Sequence, residues 1–406
     1  MPLSGLYLAA DPLAVASIML FYRGAWLPFL LPAAVFLAIA VIFGRVFCAW
    51  ACPIGFLSDI PASLNGLLFN RPIKWRFEGL QLGVLAASLL ASLMALDALS
   101  FLDPMAIFQR SAYLVWGLAG VPFILLLIML GSMLVPRLWC RLCPMGALLG
   151  IFSAFSPFRR HLDEKCTGCM KCRKACSMGA ISRDNKWDAV ACTRCLDCER
   201  ACPEGALSYT ASRPEPAISP SRRSVLVAGA VLGLFAVSKG AASALSSDTS
   251  PVRPPGSLAE AKFNAACIRC ESCARACLGK VIRPAGLDLG LERFYTPALD
   301  FNAGKCERCG TCGAVCPTGA ILSPPDENIK IGTASIDGRK CLAWVNNKKC
   351  LICAEVCPVH AVLDTSLLKP RIDPEVCIGC GSCQYNCPVP EKAVTVSSKG
   401  ERRRDG

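Results

Sequence analysis

The stretch CTGCMKCRKAC, residues 166–176, is followed at residues 192–207 by CTRCLDCERACPEGAL. In each stretch, three cysteines stand three positions apart and a fourth follows four positions later. Related groups recur four times beyond residue 260, so six groups of four account for 24 of the 28 cysteines. A disulfide framework gives no reason for one tight spacing to return so often. The repeated spacing therefore predicts that most of the chain is organised around these groups of four cysteines.

This spacing is the bacterial pattern for binding [4Fe–4S] clusters. Three cysteines of a tight loop reach three corners of one cluster, while the fourth begins a helix and points to the neighbouring cluster. Zinc fits poorly, because structural zinc sites present two separated Cys-x-x-Cys pairs. We therefore expect one cluster on Cys166, Cys169, Cys172 and Cys202, and a second on Cys192, Cys195, Cys198 and Cys176.

Four further motifs follow in the C-terminal part of the chain and bring the predicted total to six [4Fe–4S] clusters. One departs from the pattern, because eight residues separate its first two cysteines in CLAWVNNKKC, residues 341–350. The spacing leaves open whether these motifs pair side by side or in a nested order. The candidate metal ligands are Cys267, Cys270, Cys273, Cys277, Cys306, Cys309, Cys312, Cys316, Cys341, Cys350, Cys353, Cys357, Cys377, Cys380, Cys383 and Cys387.

The first 150 residues are apolar enough to predict membrane spans. Hydrophobic residues make up 53% of the chain, whereas about 45–50% is usual for soluble domains. Ala25–Phe43, Leu80–Leu96 and Ser111–Pro136 carry no charge, and each is near the roughly 20 residues that cross a bilayer. We predict three spans here, with a fourth over Leu3–Tyr22 as the alternative.

The predicted fold is multidomain. It combines an α-helical membrane domain containing a tandem direct repeat with two small α+β ferredoxin-like modules, one holding two clusters and the other four. The predicted boundaries are residues 1–150 for the membrane domain, 151–213 for the two-cluster module, 214–250 for a linker and signal anchor, and 251–406 for the four-cluster module.

The direct repeat carries the remaining four cysteines. Asp11-Pro-Leu-Ala and Asp103-Pro-Met-Ala stand 92 residues apart, and each is followed 37 residues later by a cysteine pair. Four thiols at one depth could hold a seventh iron–sulfur centre. A redox-active dithiol pair and simple apolar packing are the alternatives. The two pairs are Cys48 with Cys52 and Cys140 with Cys143.

Asp11 and Asp103 have two interpretations. Each stands before a proline, so each can cap the start of a short helix, predicted over Pro12–Tyr22 and Pro104–Tyr113. Acidic residues at membrane depth are also candidates for proton transfer. In that second interpretation they belong to a cofactor site, where the bound quinol releases its protons.

Residues 221–240, SRRSVLVAGAVLGLFAVSKG, join a twin arginine to a short apolar run, as an export signal does. We predict an uncleaved anchor here, with an ordinary anchor marked only by its basic residues as the alternative. Arginines beside the cysteine pairs, such as Arg45 and Arg137, predict a cytoplasmic side. The expected localisation is the bacterial inner membrane, multi-pass, with clusters 1 and 2 cytoplasmic and clusters 3 to 6 periplasmic.

The repeat sequences GRVFCAWACPIG and RLWCRLCPMG, which continue into two ferredoxin motifs, resemble the NapH family of quinol-linked membrane proteins. From Ser221 onward, the twin arginine and the four cluster motifs resemble the NapG family and its relative MauM. The chain is therefore similar to a NapH–NapG fusion. The resemblance implies that quinone is a substrate, with menaquinol or ubiquinol oxidised and the electrons passed to a periplasmic acceptor.

Three functions follow from these observations. The leading one is an electron-transfer subunit that links the membrane quinone pool to a periplasmic cytochrome or reductase in a larger complex. The alternatives are a conduit from a cytoplasmic donor and an assembly or redox-sensing factor. No nucleic-acid partner is expected despite the net charge of +13, since many basic residues flank apolar runs. No haem is expected either, because neither His161 nor His360 lies in a Cys-x-x-Cys-His motif.

Overall fold

The computed structural model of the 406-residue chain describes residues 11–13, 15, 27–68, 80–93, 101–116, 123–211, 229–230, 233, 250–290, 292–322, 330–346, 349–363 and 369–404. The chain divides into two compact units, one within Tyr7–Ser238 and the other within Lys239–Gly406. Each unit contains its own cysteine motifs.

Helices fill the first 153 residues of the first unit, as far as the structure describes them. Pro53 and Pro144 begin two of these helices, a position where the missing proline N–H has no helical partner to lose. The helices are α1 (Leu27–Phe43), α2 (Val46–Trp50), α3 (Pro53–Leu68), α4 (Leu80–Leu93), α5 (Pro104–Trp116), α6 (Phe123–Leu134), α7 (Leu138–Leu142) and α8 (Pro144–Ser153).

The two copies of the repeat exchange their packing partners. Helix α3, which follows Cys52, packs against α6, which precedes Cys140. Helix α8, which follows Cys143, packs against α1, which precedes Cys48. Each copy therefore covers the other, and this exchange brings the two cysteine pairs together.

The prediction of an α-helical membrane domain is wrong. The helices found within the three predicted spans are α1, α4 and α6, which have 17, 14 and 12 residues. Crossing a bilayer takes about 20 residues. Among the residues that the structure describes, no helix combines the length and the apolar character of a membrane span. The predicted multi-pass inner-membrane localisation is wrong for the same reason.

An α+β module that is ferredoxin-like, as predicted, follows these helices. Strands β1 (Phe158–Leu162) and β2 (Leu207–Ala211) pair antiparallel and enclose the short helices α9 (Lys171–Ala175) and α10 (Asp197–Arg200). The strand pair joins the beginning and the end of the two-motif segment. Cysteines of both motifs consequently pack into one small apolar core with Leu207.

The second unit consists of short elements around its four motifs. A 3₁₀ helix covers Leu287–Leu289, and the described strands pair antiparallel as β3–β4, β5–β8 and β6–β7. The other elements are α11 (Glu260–Ala266), α12 (Ser272–Arg275), β3 (Ile282–Pro284), β4 (Pro297–Leu299), α13 (Thr311–Ala314), β5 (Thr333–Ile336), α14 (Leu342–Val345), α15 (Ile352–Glu355), β6 (Val362–Leu363), β7 (Arg371–Ile372), α16 (Ser382–Tyr385) and β8 (Val394–Ser397).

The two ends of the second unit are tied together by an ion network. The side chain of Arg253 is 1% exposed, and its Nη2 donates to Oε1 of Glu260 at 2.7 Å. Arg403, near the C-terminal end, pairs with the same carboxylate. Together the two arginines lower the pKa of Glu260 to about 2, against the effect of burial. This carboxylate therefore fastens the last residues of the unit to its first helix.

Two predicted segments fall largely outside the described residues. The signal anchor at residues 221–245 is described only at 229–230 and 233, which are helical. The helix predicted over Pro12–Tyr22 is described at residues 12, 13 and 15, also helical. The predicted domain boundaries stay predictions.

Candidate iron–sulfur centres

The first two motifs exchange their fourth cysteines. A pocket of about 350 Å³ is lined by the first three cysteines of one motif and by Cys202 of the other. The negative charges of Cys192 and Cys176 add to burial in raising the pKa of Cys198, so these thiols are neighbours in turn. We name the sets group 1 (Cys166, Cys169, Cys172, Cys202) and group 2 (Cys192, Cys195, Cys198, Cys176).

The next two motifs pair side by side in the same way. Cys316 of the fourth motif lines a pocket of about 340 Å³ with three cysteines of the third. Burial first, and then the charges of neighbouring thiols including Cys277, raise the pKa of Cys312 to about 12. These sets are group 3 (Cys267, Cys270, Cys273, Cys316) and group 4 (Cys306, Cys309, Cys312, Cys277).

The last two motifs also pair with each other, despite the insertion between Cys341 and Cys350. Cys357 lines a pocket of about 330 Å³ with three cysteines of the sixth motif, and Cys341 shares an apolar core with Cys387. These sets are group 5 (Cys341, Cys350, Cys353, Cys387) and group 6 (Cys377, Cys380, Cys383, Cys357). The structure thus answers what the spacing left open: adjacent motifs pair.

Left-handed residues on both sides of the second cysteine shape five of the six motif loops. Such a turn aims successive backbone N–H groups at one point, which favours an anion there. In the fifth motif, Leu351 follows the second cysteine with a φ of −122° instead. The left-handed pairs are Gly168 and Met170, Arg194 and Leu196, Arg269 and Glu271, Arg308 and Gly310, and Gly379 and Gly381.

The repeat builds a further four-thiol pocket, formed by Cys48, Cys52, Cys140 and Cys143, with a volume of about 300 Å³. All four cysteines are buried. Cys143 caps α8, and its sulfur accepts a hydrogen bond from the N–H of Gly146 at 3.5 Å. A helix start of this kind favours a thiolate. The Cys-Pro dipeptide therefore both begins the helix and aims the sulfur.

Glycine is required behind this pocket at equivalent places in both copies. A Cβ added to Gly55 would lie 2.5 Å from the carbonyl oxygen of Cys48. A Cβ added to Gly146 would lie 2.5 Å from Nη2 of Arg45. The glycine of each Cys-Pro-x-Gly sequence thus leaves room for its neighbour. That neighbour is the carbonyl of Cys48 at Gly55 and the guanidinium of Arg45 at Gly146.

Burial makes free thiols in the four-thiol pocket reluctant to ionise. It raises the pKa of Cys52 to about 12, and the charges of Cys48 and Cys140 add to this effect. It raises the pKa of Cys140 to about 11, although Arg137 and Arg45 act in the opposite direction. A thiolate at this site therefore needs positive charge nearby, which Arg137 and Arg45 supply at Cys140.

Sequence reasoning missed the arginines of the repeat as site residues. The sequence pattern makes Arg45 and Arg137 markers of the cytoplasmic side, but the structure buries both of them, and Arg141 as well. Arg45 lines the four-thiol pocket itself. The signal was present in the sequence, since an arginine stands three positions before the first cysteine in each copy.

Asp11 and Asp103 meet although 92 residues separate them. Their carboxyl groups share a hydrogen bond, and burial raises the pKa of Asp103 despite that bond. Oδ2 of Asp103 accepts from the N–H of Ala106 at 2.9 Å, and Oδ1 of Asp11 accepts from that of Leu13 at 2.8 Å. Both therefore cap helix starts. The pair lies beside the four-thiol pocket, which Pro104 helps to line.

The donor sets fit [4Fe–4S] clusters, which are held by four cysteine thiolates. The pockets of groups 1, 3 and 6 and the four-thiol pocket are each lined by four cysteine side chains. In the part of the chain that the structure describes, no three His, Cys, Asp or Glu side chains are placed as one single metal ion would need. In every fitted pocket the cysteines come from two separate motifs.

Four family models match parts of the chain, and all of them describe iron–sulfur binding. A 4Fe-4S dicluster domain matches residues 266–320. Models described as 4Fe-4S binding domains match residues 25–76 with 116–163, residues 186–207 and residues 368–389. The first of these covers the cysteine pair of each copy of the repeat. Multiple [4Fe–4S] clusters are therefore supported.

Curated relatives of the chain are described as ferredoxin-type proteins. The methylamine utilization ferredoxin-type protein MauM of Methylorubrum extorquens is 31% identical over 198 residues, which are 44% of this chain and 89% of the relative. The ferredoxin-type protein NapG of Haemophilus influenzae is 30% identical over 206 residues, or 45% of this chain and 73% of the relative. No solved structure matches the chain significantly. The chain therefore belongs to the family of MauM- and NapG-type ferredoxin proteins, and it is an iron–sulfur electron-transfer protein.

Proposed function

We propose that the chain relays single electrons through seven [4Fe–4S] clusters, one in each of the six groups and one in the four-thiol pocket. The observation that carries this proposal is the pocket itself. Four thiols from the two copies of the repeat line one pocket, as four thiols line each of the pockets at groups 1, 3 and 6. Bound there, each cluster supplies one-electron chemistry, while the chain fixes their order and potentials.

In the second unit, the order follows from contacts between motifs. Groups 3 and 4 exchange a cysteine, and so do groups 5 and 6. The N–H of Cys306 in group 4 donates to the carbonyl of Cys380 in group 6 at 2.9 Å. The proposed order is therefore group 3, group 4, group 6 and group 5.

Electrons enter or leave where a group reaches the surface. Of the 28 cysteines, all within the described ranges, Cys169 and Cys309 are exposed. They belong to groups 1 and 4. We propose that redox partners, a cytochrome or a reductase subunit among them, dock over these two cysteines, because electron transfer weakens steeply with distance.

The proposed electron donor is a quinol, with the resemblance of residues 1–210 to NapH as one support. The hydrogen-bonded pair of Asp11 and Asp103 is the second support. Oxidation of a quinol releases two electrons and two protons, so a site beside the four-thiol pocket needs a group that accepts protons. A carboxyl pair whose ionisation burial disfavours is suited to take up one of them.

Iron and sulfide analysis tests the seventh cluster. Seven [4Fe–4S] clusters carry about 28 irons per chain and six carry about 24. We expect about 28 in the anaerobically purified protein and about 24 in a Cys143→Ser variant. About 24 irons in the unaltered protein would contradict the proposal.

Stopped-flow reduction tests the donor. A soluble quinol such as duroquinol should reduce the protein, and Asp103→Asn should slow this reaction while leaving reduction by dithionite unchanged. Reduction by a ferredoxin but not by the quinol would instead favour the alternative function, a conduit from another iron–sulfur protein.

A further inference from the structure

Buried arginines connect the four-thiol pocket to the loop of group 2. Both lie in the first unit. Arginine rarely becomes fully buried unless it is paired, yet Arg45, Arg137 and Arg141 are 0%, 4% and 7% exposed. All three belong to the repeat, and each reaches a residue that lies one or two positions from a cysteine of group 2. Four thiols can line a pocket without any of these contacts, so the contacts need a separate explanation.

Arg137 makes the most direct connection. Its guanidinium forms a two-pronged ion pair with Asp59, with both N–O distances at 2.6 Å. Its Nη1 also donates to Oγ1 of Thr193 at 3.3 Å. Thr193 follows Cys192, and Arg137 itself stands three positions before Cys140. One side chain therefore touches the loop of group 2 from the edge of the four-thiol pocket.

The charge of Arg137 lies close to thiols of both centres. Arg137 stands three residues before Cys140, in the four-thiol pocket. Its hydrogen-bond partner Thr193 stands between Cys192 and Cys195, in group 2. A cation near a redox centre stabilises the extra negative charge of the reduced state.

The other two arginines hold the same pair of regions together. Nη1 of Arg45 donates to the carbonyl of Val190 at 2.8 Å, two residues before group 2 begins. Nη2 of Arg141 donates to the carbonyl of Ser177 at 2.6 Å, next to Cys176. From the same side, the indole N–H of Trp50 donates to the carbonyl of Arg194 at 3.3 Å. Four side chains thus hold the loops of group 2 against the pocket.

We infer that Arg137 is a positioning residue for electron transfer, which favours the reduced states of the centre in the four-thiol pocket and of the centre at group 2. The inference rests on the proposed function, because it requires a redox centre in the pocket. Group 1 then follows group 2, since the two exchange a cysteine. The step is a single-electron transfer: one centre is oxidised by one electron, the other is reduced by one, and no bond or proton changes. The electron originates from the quinol or, in the test, from dithionite.

Redox titration of the full chain, followed by electron paramagnetic resonance, tests this inference through three variants. Arg137→Gln should lower the midpoint potentials of two centres, the one in the four-thiol pocket (the pocket centre) and the one at group 2. At a fixed potential, the ratio of reduced to oxidised cluster should fall about tenfold at each. Group 1 should not move. Arg137→Lys keeps the charge and should restore both potentials most of the way. Asp59→Asn removes the negative charge that is paired with Arg137, so it should raise the potential of the pocket centre.

Arg160 offers a matched control. Its Nη2 lies 3.9 Å from the sulfur of Cys172 in group 1. Arg160→Gln should therefore lower the potential of group 1 and leave the pocket centre unchanged.

The pattern across variants decides the inference. It is overturned if Arg137→Gln, with unchanged iron content, moves neither potential or moves all three centres alike. It is also overturned if Arg160→Gln shifts the pocket centre as strongly as Arg137→Gln does. Failure of the proposed function gives other results. These are an iron content of about 24 per chain in the unaltered protein, or no reduction of the protein by quinol. In either of those cases the shift at group 2 is still measured.

Discussion

The two units join neighbouring cysteine groups by different means. In the first unit, an arginine junction of Arg45, Arg137 and Arg141 lies between the four-thiol pocket and group 2. In the second, a backbone junction joins groups 4 and 6 through the N–H of Cys306 and the carbonyl of Cys380. Charged side chains make the first contact, and the main chain makes the second.

The two junctions therefore have different roles: the first tunes redox potentials, and the second supports the fold. A buried cation changes the energy of every negative charge near it, so the arginine junction makes potentials depend on single side chains. A backbone hydrogen bond forms whatever the side chains are. The backbone junction therefore depends on close packing and not on particular charges. At the backbone junction the ring of Phe301 occupies the place where Gly381 would carry a Cβ. We therefore expect substitutions to change redox properties at the first junction and folding at the second.

The largest effect should come from Gly381→Val at the backbone junction. The φ of Gly381 is +76°, and an added Cβ would lie 1.9 Å from Cδ1 of Phe301. Left-handed strain and overpacking together should cost about 3 kcal/mol or more. We expect loss of cluster iron from the second unit and a lower midpoint in chemical denaturation. Gly319→Ala is the control, because its φ is +70° but the nearest atom is 3.9 Å away. Equal losses in the two variants would rule out packing as the cause.

The next largest effect should come from Glu260→Gln, which tests whether buried arginine in the second unit supports the fold and not the potentials. Removal of the carboxylate leaves Arg253 buried without its ion pair, at a cost of about 3 kcal/mol. We expect a lower unfolding midpoint with unchanged midpoint potentials. Glu391→Gln breaks an exposed pair with Lys340 and should change stability little.

The same ion network predicts a pH dependence with a definite sign. Glu260 has its pKa lowered from 4.5 to about 2 in the folded chain. Its contribution to stability is therefore complete above pH 4.5 and is lost as the pH falls toward about 2. The difference in unfolding free energy between the unaltered protein and Glu260→Gln should narrow over that range. A constant difference would contradict the assignment.

At the arginine junction, Arg141→Gln should have a smaller effect than Arg137→Gln. It removes the hydrogen bond to the carbonyl of Ser177 and a charge that interacts with Cys176 and Cys140. We expect the reduced-to-oxidised ratio at the pocket centre and group 2 to fall about threefold. Arg141→Lys should restore it in the same redox titration. If the variant loses stability but keeps its midpoint potentials, the arginine junction supports the fold and does not tune the clusters.

The smallest effect should come from Tyr209→Phe. The hydroxyl of Tyr209 lies 3.6 Å from the sulfur of Cys198 and 3.7 Å from that of Cys192. Removing so weak a hydrogen bond should lower the potential of group 2 alone, with at most about a threefold change in the reduced-to-oxidised ratio. Tyr385→Phe, at a partly exposed residue of the second unit, is the control. An equal shift at group 1 would contradict this local explanation.

Local spacing predicted the cysteine sets of groups 1 and 2, because three ligands of each set lie in one short loop. The same logic could not decide how groups 3 to 6 pair, since that depends on contacts such as Cys306 with Cys380. Hydropathy gave the wrong fold class for the first 150 residues. It reports how apolar a run is, but Ser111–Pro136 contains the end of α5 and all of α6. The role of Arg137 was missed because burial is a property of the assembled fold.

The exchange of helices between the repeat copies has a consequence for the origin of this region. Each copy supplies two thiols, one arginine three residues before the first cysteine, and one Cys-Pro helix start. A polypeptide containing a single copy would have half a pocket and an uncovered helix, and two such polypeptides related by a twofold axis would complete each other. Gene duplication and fusion of that symmetric dimer would preserve the pocket while freeing the copies to diverge. Cys140 and Cys143, one residue closer together than Cys48 and Cys52, record such a divergence.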